Sequence, residues 1–158
     1  MQVSSDIRSL SISNLEKILL KENFEKYRAS QIFDWLTKVN VRSFEEMKNL
    51  PKELIHFLNS RFIINSTVIK LIKKSRDGTV KFLISLFDNN IIEAVLIPTE
   101  KRITACVSSQ VGCSLDCDFC ATAKIKRMRN LDFYEILDQL MILNFESVKL
   151  FGKSISNI

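Results

Sequence analysis

Apolar residues in the first part of the chain recur three and four residues apart, which is the period of an amphipathic helix. Residues that favour helix starts precede several of these stretches. Ser13 with Glu16 resembles a capping box, and so does Ser43 with Glu46, while Pro51 suits the first turn of a helix. The predicted helical elements are Ser13–Phe24, Arg28–Lys38, a short element from Ser43 and a helix after Pro51. Together they predict a small helical accessory domain over residues 1–64.

After Asn65 the helical period gives way to loose alternation, and β-branched residues become frequent. Asp77-Gly78 is a strong turn signal, and Asp88-Asn89-Asn90 is a second one. The strands predicted around these turns are Thr67–Lys74, Val80–Phe87 and Ile91–Ile97, the last of them stopped by Pro98. Residues 65–100 are therefore expected to form a short β-meander that connects two larger parts of the chain.

A further strand is predicted over Lys101–Val107, followed by a cysteine-rich loop and a helix that Asp132 and Glu135 cap. One strand–loop–helix unit cannot close a sheet or bury both of its faces. Residues 101–158 are therefore expected to be the opening of a partial (β/α) barrel. The fold class is α/β, or α+β for the chain as a whole. The tail Ser154–Ile158 is apolar and is expected to be an unpaired β edge.

Composition and charge narrow the class of protein. The 158 residues are 46% hydrophobic and 26% charged, which is typical of a globular protein in water. No stretch approaches the roughly 20 apolar residues of a membrane span, and the polar N-terminus lacks a secretory signal, so a cytoplasmic location is expected. The net charge of +5 is compatible with a nucleic-acid partner, although a lysine-rich surface would give the same charge.

The cysteines are the candidate chemistry. All four lie between Cys106 and Cys120, and Cys113, Cys117 and Cys120 follow the spacing CxxxCxxC. A reducing location favours ligands or reactive thiols over structural disulfides. Three thiolates can hold three irons of a [4Fe–4S] cluster and leave the fourth iron open to a substrate or cofactor. Zinc is the alternative, although zinc usually takes a fourth ligand, and no histidine lies nearby.

The cysteine spacing, with Phe119 before the last cysteine, resembles the signature of radical S-adenosylmethionine (SAM) enzymes. The wider run from Cys106 to Ala123, followed by Arg129-Asn130-Leu131, resembles the cluster region of the RlmN/Cfr family. Ile92–Pro98 is similar to the strand before the barrel in that family. Tyr27–Leu36 resembles a motif of the family's N-terminal helical domain, and this resemblance implies that the accessory domain over residues 1–64 binds RNA. Members are radical-SAM methyltransferases that act on C2 or C8 of adenine in RNA, and the run fits the C2-specific RlmN branch better.

The resemblance implies a role for each site residue. Cys113, Cys117 and Cys120 would ligate the [4Fe–4S] cluster, to which SAM binds, with reduction by an external electron donor. Glu93 would accept the proton released from the adenine adduct. Cys106 would release the protein–RNA crosslink by forming a disulfide with a second, methyl-carrying cysteine. The substrates implied are 23S rRNA and tRNA, and the enzyme would be a monomer.

A basic run of Lys124, Lys126, Arg127 and Arg129 follows the cysteines. Such a run is usually a solvated surface, but beside an RNA-modifying site it predicts contacts with RNA phosphates.

The family's SAM-binding loop, its remaining barrel strands and its methyl-carrying cysteine have no counterpart in this sequence. We therefore expect the chain to be the N-terminal portion of a SAM-dependent rRNA (adenine-C2) methyltransferase and to be inactive alone. The alternatives are a non-catalytic RNA-binding module and a zinc-binding interaction domain.

Overall fold

The structure is a computed structural model that describes residues 5–39, 41–113 and 128–158. The chain divides into two compact units, Met1–Ser66 and Thr67–Ile158. The finer division predicted from the sequence, at residues 64 and 100, stays a prediction. Among the described residues, no helix has the combination of length and hydropathy that a membrane span requires.

Three α-helices are described in the first unit: α1 (Ile12–Lys21), α2 (Arg28–Asp34, continued by a π-helical turn over Trp35–Val39) and α3 (Lys52–Arg61). The capping box of Ser43 and Glu46 is confirmed, and it starts the short 3-10 helix Phe44–Glu46. The predicted cap of α1 is wrong. The Ser11 hydroxyl, not that of Ser13, accepts the Asn14 N–H at 3.2 Å, so α1 begins at Ile12. Either serine could cap, and the extended backbone at Ser11 decides between them.

The core of the first unit consists of side chains from the inner faces of its helices. It includes Leu15, Leu19, Ile32, Phe44, Leu54 and Leu58. The ends of the unit are joined by a short parallel pair, β1 (Ser5–Asp6) with β2 (Phe62–Ile63). The buried Asp6 carboxylate reinforces this junction, because it accepts hydrogen bonds from Arg8 at 2.9 Å and from the Asn65 N–H at 2.7 Å.

The second unit is built on an antiparallel sheet in the order β3-β4-β5-β6. Its strands are β3 (Val68–Lys74), β4 (Val80–Ser85), β5 (Ile91–Pro98) and β6 (Ile103–Cys106). The predicted meander is thus confirmed, and β6 extends it as a fourth strand. Gly78 and Asn89 take positive φ angles of 87° and 63° in the turns that the sequence predicted.

One face of this sheet is buried and the other is open. Alternate residues of β5 (Ile92, Ala94 and Leu96) are buried, whereas Glu93 and Val95 between them are half-buried on the opposite face. Helix α4 (Phe133–Phe151) packs Ile136, Leu140 and Leu143 on the buried face, with Leu143 fully enclosed. The predicted capping box of Asp132 and Glu135 at the start of α4 is confirmed.

The tail pairs with β6, so the expectation of an unpaired edge is wrong. The Ala105 N–H donates to the Asn157 carbonyl at 2.9 Å, and Thr104 and Asn157 form a parallel bridge. Gly152, at φ 67°, ends α4 in the left-handed conformation and lets the chain turn back towards the sheet. After β6 and α4, the tail thus returns beside β6 and pairs with it in parallel through this single bridge, which is the direction of connection at the opening of an α/β barrel.

Candidate functional site

Glu93 and Cys106 lie on the same, open face of the sheet. Val95 is the register partner of Cys106, and Glu93, two residues before Val95, shares that face because side chains alternate along a strand. Diagonal neighbours of this kind have side chains about 7–8 Å apart. The structure thus brings together the two residues that the resemblance marked as catalytic, although neither role is tested by this proximity.

The Glu93 carboxylate has one cationic neighbour among the described residues. Lys81 on β4 donates to both carboxylate oxygens at 3.3 Å, and both side chains are substantially exposed. Because water screens such a pair, it contributes little to stability and leaves the carboxylate accessible. The Glu93 backbone is held more firmly, since its carbonyl accepts the Ser108 hydroxyl at 2.7 Å.

The cysteines are only partly described. Cys106 is an exposed free thiol at the end of β6, and Cys113 is half-buried just beyond β7 (Gln110–Val111). The predicted ligands Cys117 and Cys120 lie outside the described residues, as do Lys124, Lys126 and Arg127 of the basic run.

The two ends of the cysteine-bearing segment are held side by side. Strand β7 pairs with β8 (Arg129–Asn130) in an antiparallel ribbon. The Met128 N–H donates to the Val111 carbonyl at 2.9 Å, and the Leu131 N–H donates to the Ser109 carbonyl at 2.9 Å. Cys113 therefore lies just after a strand that is hydrogen-bonded in the β7–β8 ribbon.

Arg129 connects the β7–β8 ribbon to two other parts of the second unit. Its guanidinium donates to both carboxylate oxygens of Glu135 at 2.7 and 2.8 Å, and to the Asp88 carboxylate at 2.7 and 2.9 Å. Glu135 is 1% exposed, whereas the side chains of Arg129 and Asp88 are 29% and 25% exposed. The Arg129 guanidinium also lies over the Phe87 ring, 5.4 Å from its centroid.

These contacts perturb the ionisation of both partners. The hydrogen bond with Glu135 raises the pKa of Arg129, against the opposing effect of burial, and the Asp88 carboxylate adds to the increase. Burial acts to raise the pKa of Asp88, but hydrogen bonds from Arg129 and Asn90 outweigh it and hold that pKa below its ordinary value. Arg129, predicted to contact RNA, thus has its charge balanced by two carboxylates of its own chain, and its RNA contact stays a prediction.

Gln139 makes a second connection between α4 and the cysteine-bearing part of the chain, which the sequence did not indicate. Its side chain is fully buried and brackets the backbone of Ser108: it accepts the Ser108 N–H at 2.9 Å and donates to the Ser108 carbonyl at 3.0 Å. Gln139 and Glu135 both lie on α4, so one helix contacts the chain before Cys113, at Ser108, and after the cysteine segment, at Arg129. A glutamine in an apolar helix gives no sequence signal of this role.

One solved structure is similar to this chain over nearly its whole length. The crystal structure of a radical SAM methyltransferase from Sphaerobacter thermophilus is similar to this chain with a TM-score of 0.79 and 32% sequence identity, over 98% of this chain and 45% of that one. By its fold, the chain is therefore similar to part of a radical-SAM methyltransferase.

Sequence comparisons find relatives over most of the chain. Residues 5–64 match the family model described as ribosomal RNA large subunit methyltransferase N-terminal domain. A Flavobacterium johnsoniae protein named "Probable dual-specificity RNA methyltransferase RlmN" is 46% identical over 100% of this chain and 46% of its own length. A Listeria monocytogenes protein of the same name is 41% identical over 87% of this chain and 37% of its own length. The chain is similar to the N-terminal portion of proteins named RlmN, and it spans less than half the length of these relatives.

Proposed function

We propose that this chain forms the cluster-bearing part of a methyltransferase that uses SAM to methylate C2 of adenine in 23S rRNA and in tRNA. The observation that carries the proposal is the common sheet face of Glu93 on β5 and Cys106 on β6, together with the pairing of β7 and β8 on either side of the cysteine segment that follows β6. The family relationship supports the reaction class, because the curated relatives are named as RNA methyltransferases.

The donor set of the cysteine segment fits an iron–sulfur cluster. It contains three thiolates, which are the ligands that such clusters take, at Cys113, Cys117 and Cys120. The pairing of β7 with β8 fixes the positions of the residues where the segment starts and ends. We propose that these three residues hold a [4Fe–4S] cluster. When bound, the cluster supplies the electron for reductive cleavage of SAM, and an external donor replaces that electron.

The chain's own residues would carry the proton and thiol chemistry. Glu93 is an accessible carboxylate and would take the proton that leaves the adenine carbon. The exposed Cys106 thiolate would attack the sulfur of a second cysteine that is crosslinked to the adenine. An S–S bond forms as the C–S bond breaks, and the electron pair stays on the methyl carbon, which takes a proton.

The proposed partners follow from the same reaction. Lys124, Lys126 and Arg127 would contact phosphates near the modified adenine, with Arg129 contributing only the part of its guanidinium that remains exposed. The enzyme would act as a cytoplasmic monomer, where its RNA substrates and an electron donor are present.

Anaerobic reconstitution with iron and sulfide tests the ligand assignment. We expect [4Fe–4S] absorption, with iron and acid-labile sulfide in equal amounts, in the unchanged chain. Cys113→Ala, Cys117→Ala and Cys120→Ala should each abolish that absorption. Cys106→Ala is the matched control and should retain it. Zinc binding without acid-labile sulfide would instead favour a zinc-binding interaction domain, and cluster loss confined to Cys106→Ala would contradict the assignment.

A further inference from the structure

Four residues form one row across the open face of the sheet. The register pairs Lys73 with Lys81, Lys81 with Val95, and Val95 with Cys106, so the row runs from β3 to β6. Adjacent strands lie about 4.8 Å apart, which places Lys73 roughly 14 Å from Cys106 and Lys81 between them. Glu93 lies on the same face beside this row.

The two lysines are placed at a cost to the isolated sheet. Like charges directly opposite each other on neighbouring strands repel. The Lys81 ammonium is shared with Glu93 at 3.3 Å, while no carboxylate among the described residues lies within ion-pair distance of Lys73. Lysines on an edge strand such as β3 also discourage edge-to-edge aggregation, and Lys70 and Lys74 already serve that purpose.

We propose that Lys73 and Lys81 together bind a backbone phosphate of the RNA strand whose adenine lies at Glu93 and Cys106. This inference rests on the proposed function. A phosphate would relieve the repulsion between the two ammonium groups, and it needs only the flexible point charges that lysines provide. The distance along the row suits a base at one end and the phosphate of its own or the next nucleotide at the other. The contact would position the strand without reading its sequence.

Lys73→Gln tests the inference, and Lys74→Gln is its matched control. Lys74 is adjacent on the same strand, is also exposed, and is paired with the buried Val80 on the other face of the sheet. Both variants remove one positive charge, so an effect of net charge alone would be the same in the two. The measurement is the affinity for a short fluorescent single-stranded RNA that contains adenine, over a series of salt concentrations.

We expect Lys73→Gln to weaken binding several-fold and to reduce the slope of log affinity against log salt by about 0.7, the value for one phosphate contact on a single strand. Lys74→Gln should leave both quantities unchanged. Equal slopes in the two variants would overturn the phosphate site and leave the proposed function standing. Failure of the unchanged chain to bind RNA would overturn both.

Discussion

Replacing Arg129 by leucine should destabilise the second unit by about 2–3 kcal/mol. Removing one partner of a buried ion pair costs about 3–5 kcal/mol, because the other charge is left without compensation. Glu135 would be that charge, since its side chain is 1% exposed. We expect a cost below that of a fully buried pair because Glu135 keeps its hydrogen bond from the Asp132 N–H at 2.8 Å, and because water can reach the partly exposed Asp88.

The loss can be located by hydrogen–deuterium exchange combined with urea unfolding. The amides of Met128 and Leu131 donate hydrogen bonds across the β7–β8 ribbon, so their protection from hydrogen exchange should fall most in Arg129→Leu. Arg129→Lys should recover only part of the stability, because an ammonium cannot form the bidentate pair with Glu135.

Asp88→Asn is the control, since it leaves the contact between Arg129 and Glu135 in place and should cost about 1 kcal/mol or less. A double variant that replaces both Arg129 and Glu135 by leucine should be more stable than Arg129→Leu alone, because no buried charge is left over. The stabilising role of Arg129 is contradicted if Arg129→Leu lowers the free energy of unfolding no more than Asp88→Asn does. It is also contradicted if the double variant is less stable than Arg129→Leu.

Two further predictions concern acid stability and catalysis. Because the pKa of Asp88 is lower in the folded state, its stabilising contribution is present above the ordinary pKa of 3.8 and is lost as the pH falls through the folded value. The free energy of unfolding, measured with urea, should therefore fall below about pH 4, and Asp88→Asn should reduce this fall. An unchanged fall in that variant would contradict the link between Asp88 ionisation and stability. The 158 residues should not transfer labelled methyl groups from SAM to ribosomal RNA, even with cluster and reductant, because no cysteine follows Cys120 to carry the methyl group. Adding the remaining portion of an RlmN relative in trans is the positive control, and turnover by this chain alone would contradict the proposed mechanism.

Local sequence signals predicted the elements well and their long-range partners poorly. The capping boxes at Ser43 and Asp132 and the turn at Asp77-Gly78 act within a few residues, so the sequence displays them directly. The pairing of the tail with β6 depends on where α4 ends and how the chain returns, which no local pattern specifies.

The same distinction applies to the candidate site. Arg129 stood in a basic run and so predicted a phosphate contact, whereas its hydrogen-bond partner Asp88 lies in a distant hairpin turn. Glu93 and Cys106 were singled out by resemblance alone. Strand alternation and register explain why they share a face, but that register could be read only from the folded sheet.

The bond between Arg129 and Asp88 also constrains how this fold can be altered. Exposed hairpin turns ordinarily accept inserted residues. The turn at Asp88-Asn89-Asn90 should be an exception, because lengthening it would move the carboxylate away from the return of the cysteine segment. The neighbouring turn from Ser75 to Thr79 is closed by hydrogen bonds among its own residues, so it is the better place for a tag or a fused domain.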